Sequence, residues 1–311
     1  MIDPQVEPIL NMLAGSPEPG AEPIGQARLS YDEMRGAGFA PVCDEVPVND
    51  FTIEGASGPM KARVYPPPGN KNPGLFIQVH GGGFFAGSIG GYEMESRAFA
   101  NLADCKVLTF EYALSPEHKF PLAINDTLAV LKWAFANAST LGWDPARIAI
   151  GGDSAGANLA AVAAIMARDI KLQLAHQVLI YPCTDYSTEY PSMREDAEFA
   201  DISALPRKGV IWARDQYLRS RSDVTDWRAS PLLTPDLTGV APAFVVLGDC
   251  DVLRDEGVAY AKRLLAAGVE TDTRIYSGLP HGFFSMGAFV DAARDAVEQT
   301  CATLKAALAV R

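Results

Sequence analysis

Six short apolar runs punctuate this chain and limit what it can fold into: residues 75–80 (LFIQVH), 106–112 (KVLTFEY), 147–152 (RIAIGG), 176–182 (HQVLIYP), 243–249 (AFVVLGD) and 271–276 (TDTRIY). Several lack the in–out alternation of a strand with one wet face. Runs of that kind belong to strands covered on both sides, as in a parallel sheet. Helical patterns separate them, at about residues 92–102, 122–137, 155–168, 254–267 and 289–309. Strand–helix–strand order predicts an α/β fold with a mostly parallel central sheet flanked by helices on both faces. An earlier pair, near residues 51–53 and 60–65, predicts a hairpin leading into that sheet.

Two regions break the alternation. Residues before about 46 read as two short helices separated by a Pro/Gly-rich stretch at 16–25. Residues 185 to about 230 delay the next strand and carry a helical candidate at 208–218 among many charges. A long excursion with its own helices is commonly a lid. The 311 residues are long for one simple core and short for two. One domain with insertions is expected.

Charge and cysteine use narrow the class. Lys+Arg 26 against Asp+Glu 38 leaves a formal charge of −12 with no basic run, which argues against nucleic acid or an anionic membrane as partner. Cys43, Cys105, Cys183, Cys250 and Cys301 are dispersed and odd in number, with no CxxC, so neither a disulfide framework nor a zinc site is expected. The N-terminus has acids where a signal peptide needs positive charge, and no stretch approaches the ~20 apolar residues of a membrane span. Asn125 and Asn137 sit in glycosylation triplets that matter only in an exported chain. The expectation is a soluble cytoplasmic protein without stable membrane insertion; homo-oligomer formation is left open.

The chemistry concentrates in three places. Gly152-Asp153-Ser154-Ala155-Gly156 is a G-x-S-x-G that follows a strand and opens an Ala-rich helix. That context makes Ser154 a nucleophile on a tight turn, against the alternative of a helix-capping serine. A serine hydroxyl needs a base. Four histidines are available: His281 lies in a loop past the last strand, His118 competes from Ser115-Pro116-Glu117-His118, His176 begins a strand, and His80 reads as a structural ring. A carboxylate must orient the base, and Asp249, Asp251 and Asp255 all lie in the loop after the penultimate strand. Asp255 and Glu256 read better as first-turn helix charges. The third place is His80-Gly81-Gly82-Gly83-Phe84, whose glycines let backbone N–H groups approach a developing oxyanion. As a phosphate loop it fails, because no Lys follows Gly87 and Ala86 occupies the third glycine position.

HGGGF, YALSPEHKFP, GDSAGA, DVLRDEG and HGFF, in this order from about Val64 onward, resemble the hormone-sensitive-lipase-type (bacterial family IV) esterases of the α/β-hydrolase fold. The resemblance implies a Ser154, Asp251 and His281 triad, with Asp251 opening the stretch that matches the family's DPLRDEG. It implies an oxyanion hole from the N–H groups of Gly82, Gly83 and Ala155. It also implies a cap built from about residues 1–45 and about 185–230. Val252 replaces the usual Pro, and Ala113 and Ser115 alter the usual YRLAPE. The expected function is a serine carboxylesterase for short- to medium-chain acyl esters, working through an acyl-enzyme with no metal or organic cofactor. Phe84, Phe85, Phe283 and Phe284 are candidates for an apolar pocket, with plain core as the alternative. An amidase, peptidase or lactonase would use the same triad. A non-catalytic receptor is the third reading, since plant gibberellin receptors resemble this family.

Overall fold

A computed structural model describes residues 1–39, 47–69, 73–202 and 204–309; Cys43 and the end of the first expected cap segment lie outside them. The described strands are β1 (Asn49–Glu54), β2 (Pro59–Tyr65), β3 (Leu75–Val79), β4 (Lys106–Phe110), β5 (Ile148–Asp153), β6 (His176–Ile180), β7 (Ala243–Gly248) and β8 (Thr271–Tyr276). They form one sheet in the order β1-β2-β4-β3-β5-β6-β7-β8. β2 pairs antiparallel with β1 and β4, and all later pairings are parallel. The described helices are α1 (Glu7–Leu13), α2 (Ile24–Ala37), α3 (Glu93–Leu102), α4 (Leu122–Ala136), α5 (Ala138–Leu141), α6 (Ala155–Asp169), α7 (Arg207–Tyr217), α8 (Arg254–Ala266) and α9 (Asp291–Ala307).

The period of two along the strands sorts the core into two layers. Ile77, Val79, Leu108, Ile150, Leu179 and Val245 face a cluster that includes Leu131 of α4, Leu159 of α6 and Leu264 of α8. Phe76, Val107, Ala149, Val178, Phe244 and Val246 face the other side, with Phe99 of α3 and Leu304 of α9. Covering both faces buries every residue of β3, β5 and β7, which is why those runs are apolar throughout. β8 lies at the sheet edge with half-exposed residues, so its sequence can be polar. Among the described residues, no helix is long and apolar enough to cross a membrane.

The N-terminal segment divides. Val6 is buried with the α9 layer, and Asp3 donates its N–H to the Gly278 carbonyl, which fastens α1 beside the last strand. α2 runs instead over the glycine loop, with Arg28 donating to the Phe85 and Ser115 carbonyls at 2.7 and 3.0 Å. The excursion after β6 contains α7, whose last carbonyls (Asp215, Gln216, Leu218) all accept from the Lys119 ammonium, a cation where the helix dipole is negative. Glu18 pairs with Lys208, joining the segment before α2 to α7.

Candidate active site

Parallel strands deliver their successors to one edge of the sheet, and the loops after β3, β5, β7 and β8 meet there. The turn between β5 and α6 is the tightest of them. Ser154 adopts φ 55° and ψ −119°, a positive-φ conformation that a non-glycine residue holds only when its surroundings enforce it. A Cβ on Gly152 or on Gly156 would lie 2.1 Å from the Val79 carbonyl oxygen, so both flanking positions must be glycine for the turn to close against β3. Ala155 is the first residue of α6, so its N–H has no acceptor inside the helix.

His281 and Asp251 come to this turn from two different loops. His281 Nε2 lies 2.9 Å from Ser154 Oγ, and His281 Nδ1 lies 2.8 Å from Asp251 Oδ2. Asp251 is 2% exposed, and its other oxygen accepts the Leu253 N–H at 2.8 Å. The Tyr181 ring packs against the imidazole, with centroids 4.5 Å apart.

The other aspartates of this loop hold other things. Asp249 accepts the Gly278 N–H at 2.6 Å and the Ser277 hydroxyl at 3.0 Å, which fixes the turn leading to His281 without touching its ring. Asp255 accepts the Ser192 N–H and bonds Arg254, which outweighs burial and lowers its pKa. Glu256 departs from the expectation of an ordinary first-turn charge: it is 4% exposed and accepts the Thr184 N–H. Burial pushes its carboxyl up to about 8, against the pull of that N–H.

Of the remaining histidines, His118 is exposed. Burial pushes His176 down to about 4. His80 is fully buried and stacked on Tyr112 at 4.2 Å, and burial lowers its pKa as well. After it the chain takes positive φ at Gly82 (101°), Gly83 (57°) and Phe84 (64°). The loop is tied at its carbonyls: Tyr112 donates to His80 O at 2.9 Å, and the Ser115 N–H donates to Phe84 O at 2.8 Å. Among the described residues, the N–H groups of Gly82 and Gly83 donate to no protein acceptor.

The four phenylalanines separate. Phe85 is half-buried, edge-on to Trp212 of α7 at 4.8 Å. Phe84 is 2% exposed and stacked on Tyr217 at 3.7 Å. Phe283 and Phe284 are fully buried in the α3/α9 layer against Tyr181, Tyr276, Phe39 and Phe99, which corrects the expectation of pocket walls: they are core. Both lie in a 3-10 turn (residues 283–286) that follows His281 directly and is packed into that layer.

A polar group under the glycine loop has no counterpart in the sequence motifs. Asp153, the second letter of GDSAG, accepts the Gly81 N–H at 2.9 Å and the Tyr92 hydroxyl at 3.0 Å. Arg35 of α2 pairs with it and with Glu95 of α3. Among the described residues, no group of three or more His, Cys, Asp or Glu is placed to hold a metal ion.

The profile of a family described as having the alpha/beta hydrolase fold matches residues 76–285. Carboxylic ester hydrolase LipN of Mycobacterium tuberculosis is 39% identical over 79% of this chain and 68% of its own length. Carboxylesterase NlhH of the same organism is 35% identical over 98% of this chain and 97% of its own. Among solved structures, the hyperthermophilic esterase from Pyrobaculum calidifontis superposes with a TM-score of 0.93 at 35% identity, covering 99% of each chain.

Proposed function

The chain belongs to the hormone-sensitive-lipase-type branch of the alpha/beta hydrolase family, and from that premise we propose that it is a serine carboxylesterase for short- to medium-chain acyl esters. The observation that carries the reading is the unbroken hydrogen-bonded line from Asp251 through His281 to Ser154.

With a proton on Nδ1 directed at Asp251, the imidazole presents Nε2 as acceptor to the Ser154 hydroxyl. The base removes that proton as Oγ attacks the ester carbonyl, and Asp251 stabilises the imidazolium that forms. The tetrahedral oxyanion sits against the N–H groups of Gly82, Gly83 and Ala155. Each such donor contributes roughly 3–4 kcal/mol in the transition state, since a water-excluding site strengthens it. His281 then gives its proton to the leaving alkoxide, and the acyl group stays on Ser154. In the second half the same nitrogen activates water, and the acid is released.

The cap in this proposal is α2 together with the excursion after β6. Two contacts of the cap are aromatic: Phe85 packs edge-on against Trp212, and Tyr186 reaches Cys183, whose thiol lies against the Ser154 carbonyl. The four described cysteines are free and buried, in keeping with a reducing cytoplasmic setting.

The test is an acyl-chain series of 4-nitrophenyl esters, run beside 4-nitroanilides, with wild type and Ser154→Ala. Short esters should be hydrolysed fastest and anilides little. Ser154→Ala should lose about 10⁴-fold or more in kcat. Full activity in Ser154→Ala would sink the proposal, and faster turnover of anilides would move it to amide hydrolysis.

A further inference from the structure

The glycine loop has no side chains of its own at residues 81–83 and takes positive φ from Gly82 onward, so its direction must come from outside. On its buried side stands a compact polar group. Gly81 donates its N–H both to Asp153 Oδ1 and to the Tyr92 phenol oxygen, each at 2.9 Å. The phenol donates its own proton to Asp153 and lies 2.9 Å from the Tyr31 hydroxyl. Arg35 lies over the Tyr92 ring, 4.2 Å from its centroid, and its guanidinium reaches both Asp153 and Glu95. Glu95 is held in turn by Gln78, and Gln78 by Ser96. Arg35, Glu95 and Asp153 are each 3% exposed or less.

A buried charge cluster of this kind is a poor stabiliser, because desolvation offsets its attraction and a well-packed apolar set of the same volume does as well or better. What it supplies is fixed geometry. Burial pushes the Tyr92 phenol well above its ordinary range, so it stays a neutral donor. The acidic groups around Arg35 hold its guanidinium charged although burial opposes this. The cluster also has a direction. It starts on α2, in the N-terminal segment, and ends on Gly81, the residue before the two glycines whose N–H groups have no acceptor among the described residues.

We infer that Arg35 and Tyr92 are positioning residues for ester hydrolysis, holding the Asp153 carboxylate so that it fixes Gly81 and thereby aims the Gly82 and Gly83 N–H groups at the oxyanion. The inference rests on the reading of Ser154 as nucleophile and of those glycines as oxyanion donors. It makes α2 and the oxyanion loop one mechanical unit: a helix outside the hydrolase core sets the transition-state donors. Displacement by about 1 Å at such a site costs up to 10²-fold in rate.

Full-length Tyr92→Phe, Arg35→Met and Arg35→Lys are compared with wild type on 4-nitrophenyl acetate, with active serines counted by a fluorophosphonate so that misfolded protein drops out. Tyr92→Phe should lower kcat per titrated serine about tenfold and Arg35→Met up to about 100-fold, with KM within about threefold. Arg35→Lys should recover most of the loss. Inhibition by an aryl trifluoromethyl ketone, whose adduct carries the oxyanion, should weaken by the same factors. A merely structural role would lower the titrated fraction and the melting temperature but leave kcat per serine intact. If Arg35→Met does not fold, Tyr92→Phe alone decides. Unchanged kcat per serine in the folded variants overturns this inference and leaves the esterase reading standing. Ser154-independent hydrolysis by wild type overturns both.

Discussion

Two aspartates serve this site, and they are built on opposite terms. Asp251 faces His281 and the Leu253 N–H, and no arginine or lysine pairs with it among the described residues. Asp153 faces Gly81, Tyr92 and the Arg35 guanidinium. The difference follows from what each must do. A carboxylate that stabilises a transient imidazolium has to keep its charge unspent until the imidazole is protonated. A carboxylate that only holds a backbone in place needs a permanent counter-charge, because an uncompensated buried anion is costly. Glu256 adds a third solution. With no cation paired to it among the described residues, burial raises its pKa to about 8, so it keeps its proton at neutral pH.

The contrast can be broken by amidating each carboxylate in turn. Asp251→Asn should show the largest effect, about 10⁴-fold lower kcat, because the amide favours the wrong imidazole tautomer. Asp249→Asn should cost less than about tenfold, since Asp249 holds the Gly278 turn and not the ring. If Asp249→Asn were the more damaging change, the carboxylate assignment would be wrong.

Asp153→Asn comes next. The amide oxygen still accepts one N–H, but Arg35 loses the counter-charge of Asp153. A drop of roughly 10–100-fold in kcat is expected, together with a loss of about 2–4 kcal/mol in urea unfolding. An Asp153→Asn enzyme with wild-type kcat would mean that the two aspartates do not divide the work in this way.

Glu256→Gln should leave kcat within about threefold and act on stability alone. The sign follows from a folded pKa of about 8 against an ordinary 4.5. The folded state retains a proton that the unfolded state gives up, so the contribution is whole below pH 4.5 and is lost as pH rises through 8. Wild type should therefore lose stability between pH 5 and pH 8, and Glu256→Gln should lose less, by roughly 3–4 kcal/mol. Parallel pH profiles from urea unfolding would contradict the burial account of Glu256.

How much of this was legible in sequence depended on how local the cause was. The strands β3, β5 and β7 announced themselves because burial on both faces leaves no room for polar residues. The Ser154 turn was legible because its steric demand falls on Gly152 and Gly156, two residues either side. Asp249, Asp251 and Asp255 could not be separated by pattern alone; only the resemblance chose Asp251, and the distances now distinguish their contacts. Phe283 and Phe284 misled because they follow His281 directly, and a short 3-10 turn sends them to the opposite layer. Arg35 was illegible for the same reason in reverse. Its partners Glu95 and Asp153 lie on α3 and at the end of β5, and nothing in the spacing of three such distant residues encodes their meeting.

The central claim is that Ser154 is the nucleophile of an ester hydrolase, and covalent labelling tests it most directly. Wild-type protein treated with a fluorophosphonate and analysed by intact mass and peptide mapping should carry one adduct, on the peptide containing Ser154. Ester hydrolysis should fall in step with labelling, and Ser154→Ala should take up no label. An adduct on another residue, or hydrolysis that persists after Ser154 is fully labelled, would contradict the account.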